Sequence, residues 1–146
     1  MAGEAQRRLV EFRRYLLVRV GAGTRCAVPA QSVQRILRSL TVYPVPGAQP
    51  KLVGLAQYRG DPIAVLDLEV LLGGRAESSA GHGVTVVVSA GAAEASETVG
   101  LAVAEALEVA TIRDIAPGGE WLVVGEAVVG DKLVRVLDLA RLGAAP

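Results

Sequence analysis

Val53-Gly54-Leu55-Ala56-Gln57-Tyr58-Arg59-Gly60-Asp61-Pro62-Ile63-Ala64-Val65-Leu66-Asp67-Leu68 reads as a β-hairpin that runs straight into the start of a helix. Gly54–Tyr58 and Ile63–Leu66 are the strands, and Arg59-Gly60-Asp61-Pro62 supplies the turn. Asp67 stands at the N-cap of a short helix through Leu72, closed by Gly73-Gly74. The module returns after a shift of 71 residues, which lays Val53-Gly54 on Val124-Gly125, Ala56 on Ala127 and Val65-Leu66-Asp67-Leu68 on Val136-Leu137-Asp138-Leu139. Leu71 falls on Leu142 in the same shift, and Ala27-Val28 ahead of Ser32-Val33 resembles Ala102-Val103 ahead of Ala106-Leu107 more loosely. Each half therefore reads strand, strand, short turn, strand, then a hairpin ending in a capped helix. Short, closely spaced strands predict an all-β fold of small barrels rather than a βαβ sheet, and the duplication predicts two barrels sharing a core.

Outward from the hairpin, Tyr15–Val20 is a β-rich run stopped by Gly21-Ala22-Gly23, and Thr24–Val28 comes next at hairpin distance. Pro29 ends that strand. Ala30–Val33 then fits a single helical turn before Gln34-Arg35-Ile36-Leu37, and Pro44, Pro46 and Pro50 hold the next stretch extended. Residues 1–14 read as a basic N-terminal arm and 15–146 as one domain. Its halves are 15–76 and 82–146, the Gly/Ser/Ala-rich stretch from Gly73 to Gly83 lies between them, and the first strand is able to cross over.

With 146 residues, 51% of them apolar, and a mean hydropathy of +0.42, the chain has ample material for a core, built from Val, Leu, Ile and Ala since aromatics are 3%. A single cysteine, Cys26, excludes a disulfide framework, and a single histidine, His82, leaves no Cys/His set for a metal. No 18-residue apolar run spans a membrane, and Met1–Arg8 holds no apolar leader, so the expectation is a soluble, cytoplasmic protein. Net charge is zero overall but divides into +8 over residues 1–59 and −8 over 60–146. Such a division marks either an electrostatic docking face or two separately solvated surfaces.

Catalytic constellations are absent from this reading. Asp67 and Asp138 tempt as paired carboxylates, but each precedes a Leu-x-x-Leu pattern at the same place in its repeat, where an N-cap explains both. Gly21-Ala22-Gly23 lies between strands, as a hairpin turn does, and Cys26 sits in an apolar strand. No catalytic residue, metal or cofactor is expected. A nucleic-acid-binding barrel using the basic first half, with Phe12, Tyr15, Tyr43 and Tyr58 among its arginines, is the alternative from another class; a pI near 6.6 and the acidic second half argue against it.

Gly54-Leu55-Ala56-Gln57-Tyr58-Arg59-Gly60 through Ile63-Ala64-Val65-Leu66-Asp67-Leu68 resembles the signature of CheW-like chemotaxis adaptor domains. Cys26-Ala27-Val28-Pro29, Val33-Gln34-Arg35-Ile36, Pro44-Val45-Pro46-Gly47-Ala48, Val103–Val109 and Gly130-Asp131-Lys132-Leu133 with Leu137-Asp138-Leu139 agree in order. The resemblance spans Tyr15 to Leu142 and implies an all-β fold of two small five-stranded β-barrel subdomains around a hydrophobic core. It implies a non-enzymatic adaptor that joins the cytoplasmic tips of chemoreceptors to a CheA-type histidine kinase. Carried over by position, Val33, Arg35, Ile36 and Arg59 are receptor-side residues, and Val53 and Gly54 lie near a kinase-side surface. Three departures stand out. Arg35 replaces a glutamate that in the family faces the arginine matched by Arg59, and Gln57-Tyr58 replaces Asn-Leu. The stretch Ile115–Trp121 is also shorter than the family's connector, which implies weakened kinase coupling, or an accessory protein that binds receptor but not kinase.

Overall fold

The computed structural model describes residues 13–21, 23–75 and 83–143. Eleven strands fill them: β1 (Arg13–Val20), β2 (Thr24–Pro29), β3 (Val33–Arg38), β4 (Leu52–Tyr58), β5 (Asp61–Asp67), β6 (Val84–Ala90), β7 (Glu97–Val103), β8 (Glu105–Ile112), β9 (Ala116–Pro117), β10 (Val123–Val129) and β11 (Lys132–Leu137). One short helix, α1 (Leu68–Leu71), and 3-10 turns at Ala30–Ser32, Ala93–Ala95 and Leu139–Arg141 complete the described chain.

The strands form two sheets, ordered β8-β1-β2-β11-β10-β9 and β3-β6-β7-β5-β4. All neighbours are antiparallel except two pairs, β2 with β11 and β5 with β7. The all-β fold is the expected one, although strand pairing leaves each sheet open, between β3 and β4 in one and between β8 and β9 in the other. The module from the first half, β4-β5-α1, has its partner in β10, β11 and the turn at Leu139–Arg141. Each of these modules is completed by a hairpin from the other half of the chain: β6-β7 joins β4-β5, and β1-β2 joins β10-β11. The arm expected over residues 1–14 lies outside the described residues as far as residue 12, and Arg13 and Arg14 belong to β1. Within the expected linker, residues 76–82 lie outside the described residues.

Three apolar clusters explain why the central strands read as nearly continuous hydrophobic runs. Leu16, Val18 and Val20 of β1 and Val84, Val86 and Val88 of β6 point into a core between the two sheets. Tyr15 and Leu17 point the other way, into a cluster with Ala27, Val134 and Val136 that only the first sheet encloses. Val87 does the same with Ala56, Ile63 and Val65 in the second sheet. Successive strand residues face opposite sides, so a strand wetted on neither side must be apolar at every position. Leu68 and Leu71 of α1, with Leu122 and Leu139, close the shared core.

The repeat extends to single hydrogen bonds. Asp67 accepts from Val70 N–H at 3.2 Å and Asp138 from Ala140 N–H at 3.0 Å, so both carboxylates cap helical turns. The Asp67 N–H donates to Lys51 O at 2.8 Å, and the Asp138 N–H donates to Leu122 O at 2.9 Å. Gly54 and Gly125 are a matched pair as well. Tyr43 crosses β4 and bridges to Leu55, as Ala116 crosses β10 opposite Glu126. A Cβ on Gly54 would collide with the Tyr43 carbonyl, and one on Gly125 would lie 2.5 Å from the Ala116 oxygen. Both glycines exist to let a backbone pass.

Replacing either glycine by alanine is therefore expected to lower unfolding free energy by about 2 kcal/mol or more, since the obstruction is backbone and cannot rotate away. Urea denaturation of G54A and G125A checks this, and wild-type midpoints would contradict the close-approach account.

Candidate functional site

Strand β3 is an edge, and its exposure pattern is not a simple alternation. Val33 pairs with Val88 and Arg35 with Val87, so Gln34 is an extra residue, a bulge. Without it Val33 and Ile36, three apart, would face opposite sides. With it, Val33 opposite Val88 and Ile36 opposite Val86 share the side of the shared core. Gln34 stabilises the bulge through its side-chain amide, which donates to Ser89 Oγ at 2.9 Å and Thr98 Oγ1 at 3.1 Å. Val33 is half-buried against the core, and Ile36 remains 41% exposed. Arg35 and Leu37 fall on the other side, where Leu37 packs on the cluster that contains Tyr58.

Arg59 occupies the β4–β5 turn in the left-handed region (φ 52°), with Gly60 (φ 84°) next to it. Its guanidinium lies 5.3 Å from the centroid of the Tyr58 ring, a cation–π contact that holds the arginine at the turn. Val33, Arg35 and Ile36 thus share one strand, while Arg59 sits at the end of β4, the opposite edge of the same sheet in hydrogen-bond order. Val53 is half-buried, packed on the interior cluster of that sheet, and Gly54 lies under the Tyr43 crossing. The crossing leaves Tyr43 and Leu55 side by side and exposed, with Val45 beyond them. That apolar group escaped the sequence reading, because the Tyr43–Leu55 pairing is not local.

The connector Ile115–Trp121 is short but firmly held. Its Ala116–Pro117 segment pairs with Gly125 and Glu126, and the Gly118 N–H donates to Val124 O at 3.1 Å. Trp121 Nε1–H donates to Arg141 O at 2.9 Å, and the Arg141 guanidinium donates to Trp121 O at 3.0 Å. Between this connector, the end of α1 and the loop at Gln49–Lys51 lies an open cleft of about 680 Å³. Leu71, Leu72, Trp121 and Val123 wall it, and Lys51 and Arg135 are also among its lining.

The charge division along the chain is not a division in space. Exchange of hairpins sets the arginines of β1 and β2 in the same sheet as Glu105, Glu108 and Glu126, and Arg19 meets Glu105 at 3.3 Å. Among the described residues no group of three or more His, Cys, Asp or Glu side chains is placed to hold a metal ion. The Cys26 thiol is fully buried, and burial pushes its pKa up to about 12 against the smaller opposing effect of Arg135. The thiol stays protonated and hidden, the reverse of what a nucleophile needs.

The family model for the CheW-like domain matches residues 14–145. The chain belongs to the CheW-like domain family. No curated protein sequence matches it. Among solved structures, the crystal structure of the scaffolding protein TtCheW from Thermoanaerobacter tengcongensis superposes with a TM-score of 0.77 at 19% identity. The match covers 92% of this chain and 94% of that one, so the CheW-like fold is present over nearly its whole length. Among the described residues no helix is long and apolar enough to cross a membrane.

Two side chains give direct tests of this geometry. Tyr58 Oη is buried without a hydrogen-bond partner, so Tyr58→Phe is expected to leave stability unchanged or raise it by up to about 1 kcal/mol, read by urea denaturation. The Cys26 pKa is higher folded than unfolded, so the native state holds its proton longer. Stability from this source is intact below about pH 9 and declines as pH rises toward 12, and Cys26→Ala should flatten that decline. A thiol-specific reagent at pH 8 should modify Cys26 only after denaturant is added; prompt labelling of the native protein would contradict its burial.

Proposed function

We propose that the chain is a non-enzymatic adaptor of a chemosensory array, working in the cytoplasm, that binds the cytoplasmic tips of chemoreceptors and links them to a CheA-type histidine kinase. The family match over residues 14–145 carries the adaptor role. For the receptor surface, support comes from the bulge at Gln34, which turns Val33 and Ile36 to one side of an edge strand and leaves Ile36 accessible. A receptor tip is a helical hairpin, and an apolar helix face needs such a strip to dock on. Arg35, on the other side of the same strand, and Arg59, at the opposite edge of the sheet in hydrogen-bond order, add positive charge around this strip. A tip bearing carboxylates therefore suits this adaptor better than one matched to a glutamate at position 35. Val53 and Gly54 mark the kinase side, where the exposed Tyr43 and Leu55 add apolar surface beside Gly54.

Kinase coupling is the weaker of the two links in this reading. The shortened connector Ile115–Trp121 carries fewer side chains to offer a partner, and its tie to Arg141 keeps it close to the body of the domain. Interface energy concentrates in few residues, so one missing anchor costs ~2 kcal/mol, or roughly thirtyfold in affinity. A protein that binds receptor and not kinase is the limiting form of the same reading.

A paired titration against a receptor cytoplasmic tip and a kinase regulatory domain distinguishes these forms. Receptor binding tighter by about an order of magnitude or more is expected, and equal affinities would restore an ordinary bridge. Ile36→Asp should abolish the receptor signal while leaving the circular dichroism spectrum and unfolding midpoint intact. Unchanged receptor binding by that variant would move the docking surface elsewhere.

A further inference from the structure

The two halves of the chain differ at a position that borders the shared core. The Asp138 N–H donates to Leu122 O and the Asp67 N–H donates to Lys51 O, so Lys51 occupies the place that Leu122 fills 71 residues later. Leu122 is buried in the shared core, whereas Lys51 is exposed. The first half thus lacks the aliphatic plug that the second half has, and the cleft of about 680 Å³ opens where Lys51 replaces it. Leu71 and Leu72, at the end of α1, wall it from the first half of the chain, and Trp121 and Val123 from the second. Trp121 is the only tryptophan in the sequence. It takes a left-handed φ of 49°, which a bulky side chain rarely adopts. Two hydrogen bonds fix it there, from the indole N–H to Arg141 O at 2.9 Å and from the Arg141 guanidinium to Trp121 O at 3.0 Å. An aromatic wall held in this way needs little further ordering when a ligand arrives.

We propose that this cleft binds an uncharged aromatic small molecule, its ring packed on the Trp121 indole among Leu71, Leu72 and Val123. Its volume falls within the range of small-molecule sites, roughly 300–1,000 Å³. The charged side chains in its lining are two cations, Lys51 and Arg135, and two carboxylates, Glu120 and Glu126. They sum to zero, and Glu126 lies directly opposite Arg135 in the β10–β11 register, so the cleft favours neither an anion nor a cation. These groups serve instead to hydrogen-bond polar substituents on an otherwise apolar ligand. Walls of leucine, valine and tryptophan side chains offer few partners to the amides of a peptide, which favours a small ring over a protein segment. A ligand seated here touches both halves of the chain and braces one against the other.

Titration of the full chain with N-phenyl-1-naphthylamine, an uncharged aryl amine, tests this without receptor or kinase and so independently of the adaptor reading. Excitation of the single tryptophan should give saturable energy transfer to the probe, and the probe should raise the thermal unfolding midpoint. The anionic analogue 8-anilinonaphthalene-1-sulfonate should bind no more tightly. Lys51→Leu, which supplies the side chain found at Leu122, and Leu72→Arg, which puts a charge on an apolar wall, should each weaken binding of the uncharged probe by about tenfold or more. Ile36→Asp on the β3 edge should bind it like wild type. Circular dichroism and urea midpoints confirm that each variant is folded. Absence of saturable transfer, unchanged affinity in both cleft variants, or a sulfonate that binds tenfold tighter would overturn the proposal. So would probe binding that fades as protein concentration rises while the sedimentation coefficient grows, since the cleft would then belong to a second copy.

Discussion

Two parallel strand pairings hold this molecule in its shape. Cys26 and Ala27 of β2 lie opposite Arg135 and Val136 of β11, and Val65, Leu66 and Asp67 of β5 lie opposite Gly100, Leu101 and Ala102 of β7. Every other strand pair is antiparallel, and most of them join strands consecutive in the chain, as hairpins do; β1 with β8 and β3 with β6 are the long-range exceptions. Only the parallel pairs join a hairpin from one half of the chain to the capped module of the other. Without them the sheets would divide between β2 and β11 and between β7 and β5, and the shared core, which draws on β1, β2, β6, β7 and α1, would lose a wall. Crowding at the second junction shows how closely the strands are set: a Cβ on Gly100 would come within 2.8 Å of Thr85 Cγ2 and 3.3 Å of Val65 Cγ2. Neither half of the sequence has a complete core of its own, and the chain folds as one unit for that reason.

The local parts of this architecture were legible in the residues, and the long-range parts were legible only in outline. The hairpin Gly54–Leu66 and its copy 71 residues on announce themselves through alternation and turn residues, and the N-caps at Asp67 and Asp138 through the Leu-x-x-Leu pattern beginning at the next residue. Those signals are local because the hydrogen bonds that produce them span a few residues. Which hairpin joins which sheet depends on pairings between residues some 35 to 110 apart, and no short pattern encodes them. The continuous apolar runs of β1 and β6 belong to strands buried on both faces, since an alternating strand would have left one face wet.

The bulges, at Gln34 in β3 and at Leu107 in β8, mark where sequence reading failed on the candidate site. By sequence similarity Val33 lay over Leu107; by hydrogen-bond register it lies over Ala106, and Leu107 matches Gln34. One inserted residue reverses which side chains face the core, so an error of one position inverts the surface. The conformation of Arg59 was similarly hidden: with Tyr58 paired to Asp61 the turn has only two residues, Arg59 and Gly60, and a two-residue hairpin of this type needs positive φ at both, so the arginine adopts it although its side chain does not favour it.

A fold built twice from one module has two copies of every edge, and like edges invite indiscriminate pairing. Many proteins suppress this by charging an exposed edge with one sign throughout. Here the equivalent edges carry opposite signs at equivalent places, Arg35 against Glu108, on strands whose backbone geometry is otherwise matched down to the bulge. Opposite signs make the two edges distinguishable from each other, which a pseudo-symmetric scaffold cannot achieve through backbone alone. The hairpin exchange places these edges in different sheets, so the distinction belongs to two surfaces of one rigid unit and not to two ends of one sheet. Internal duplication supplies the scaffold; divergence of a few exposed side chains tells its two edges apart.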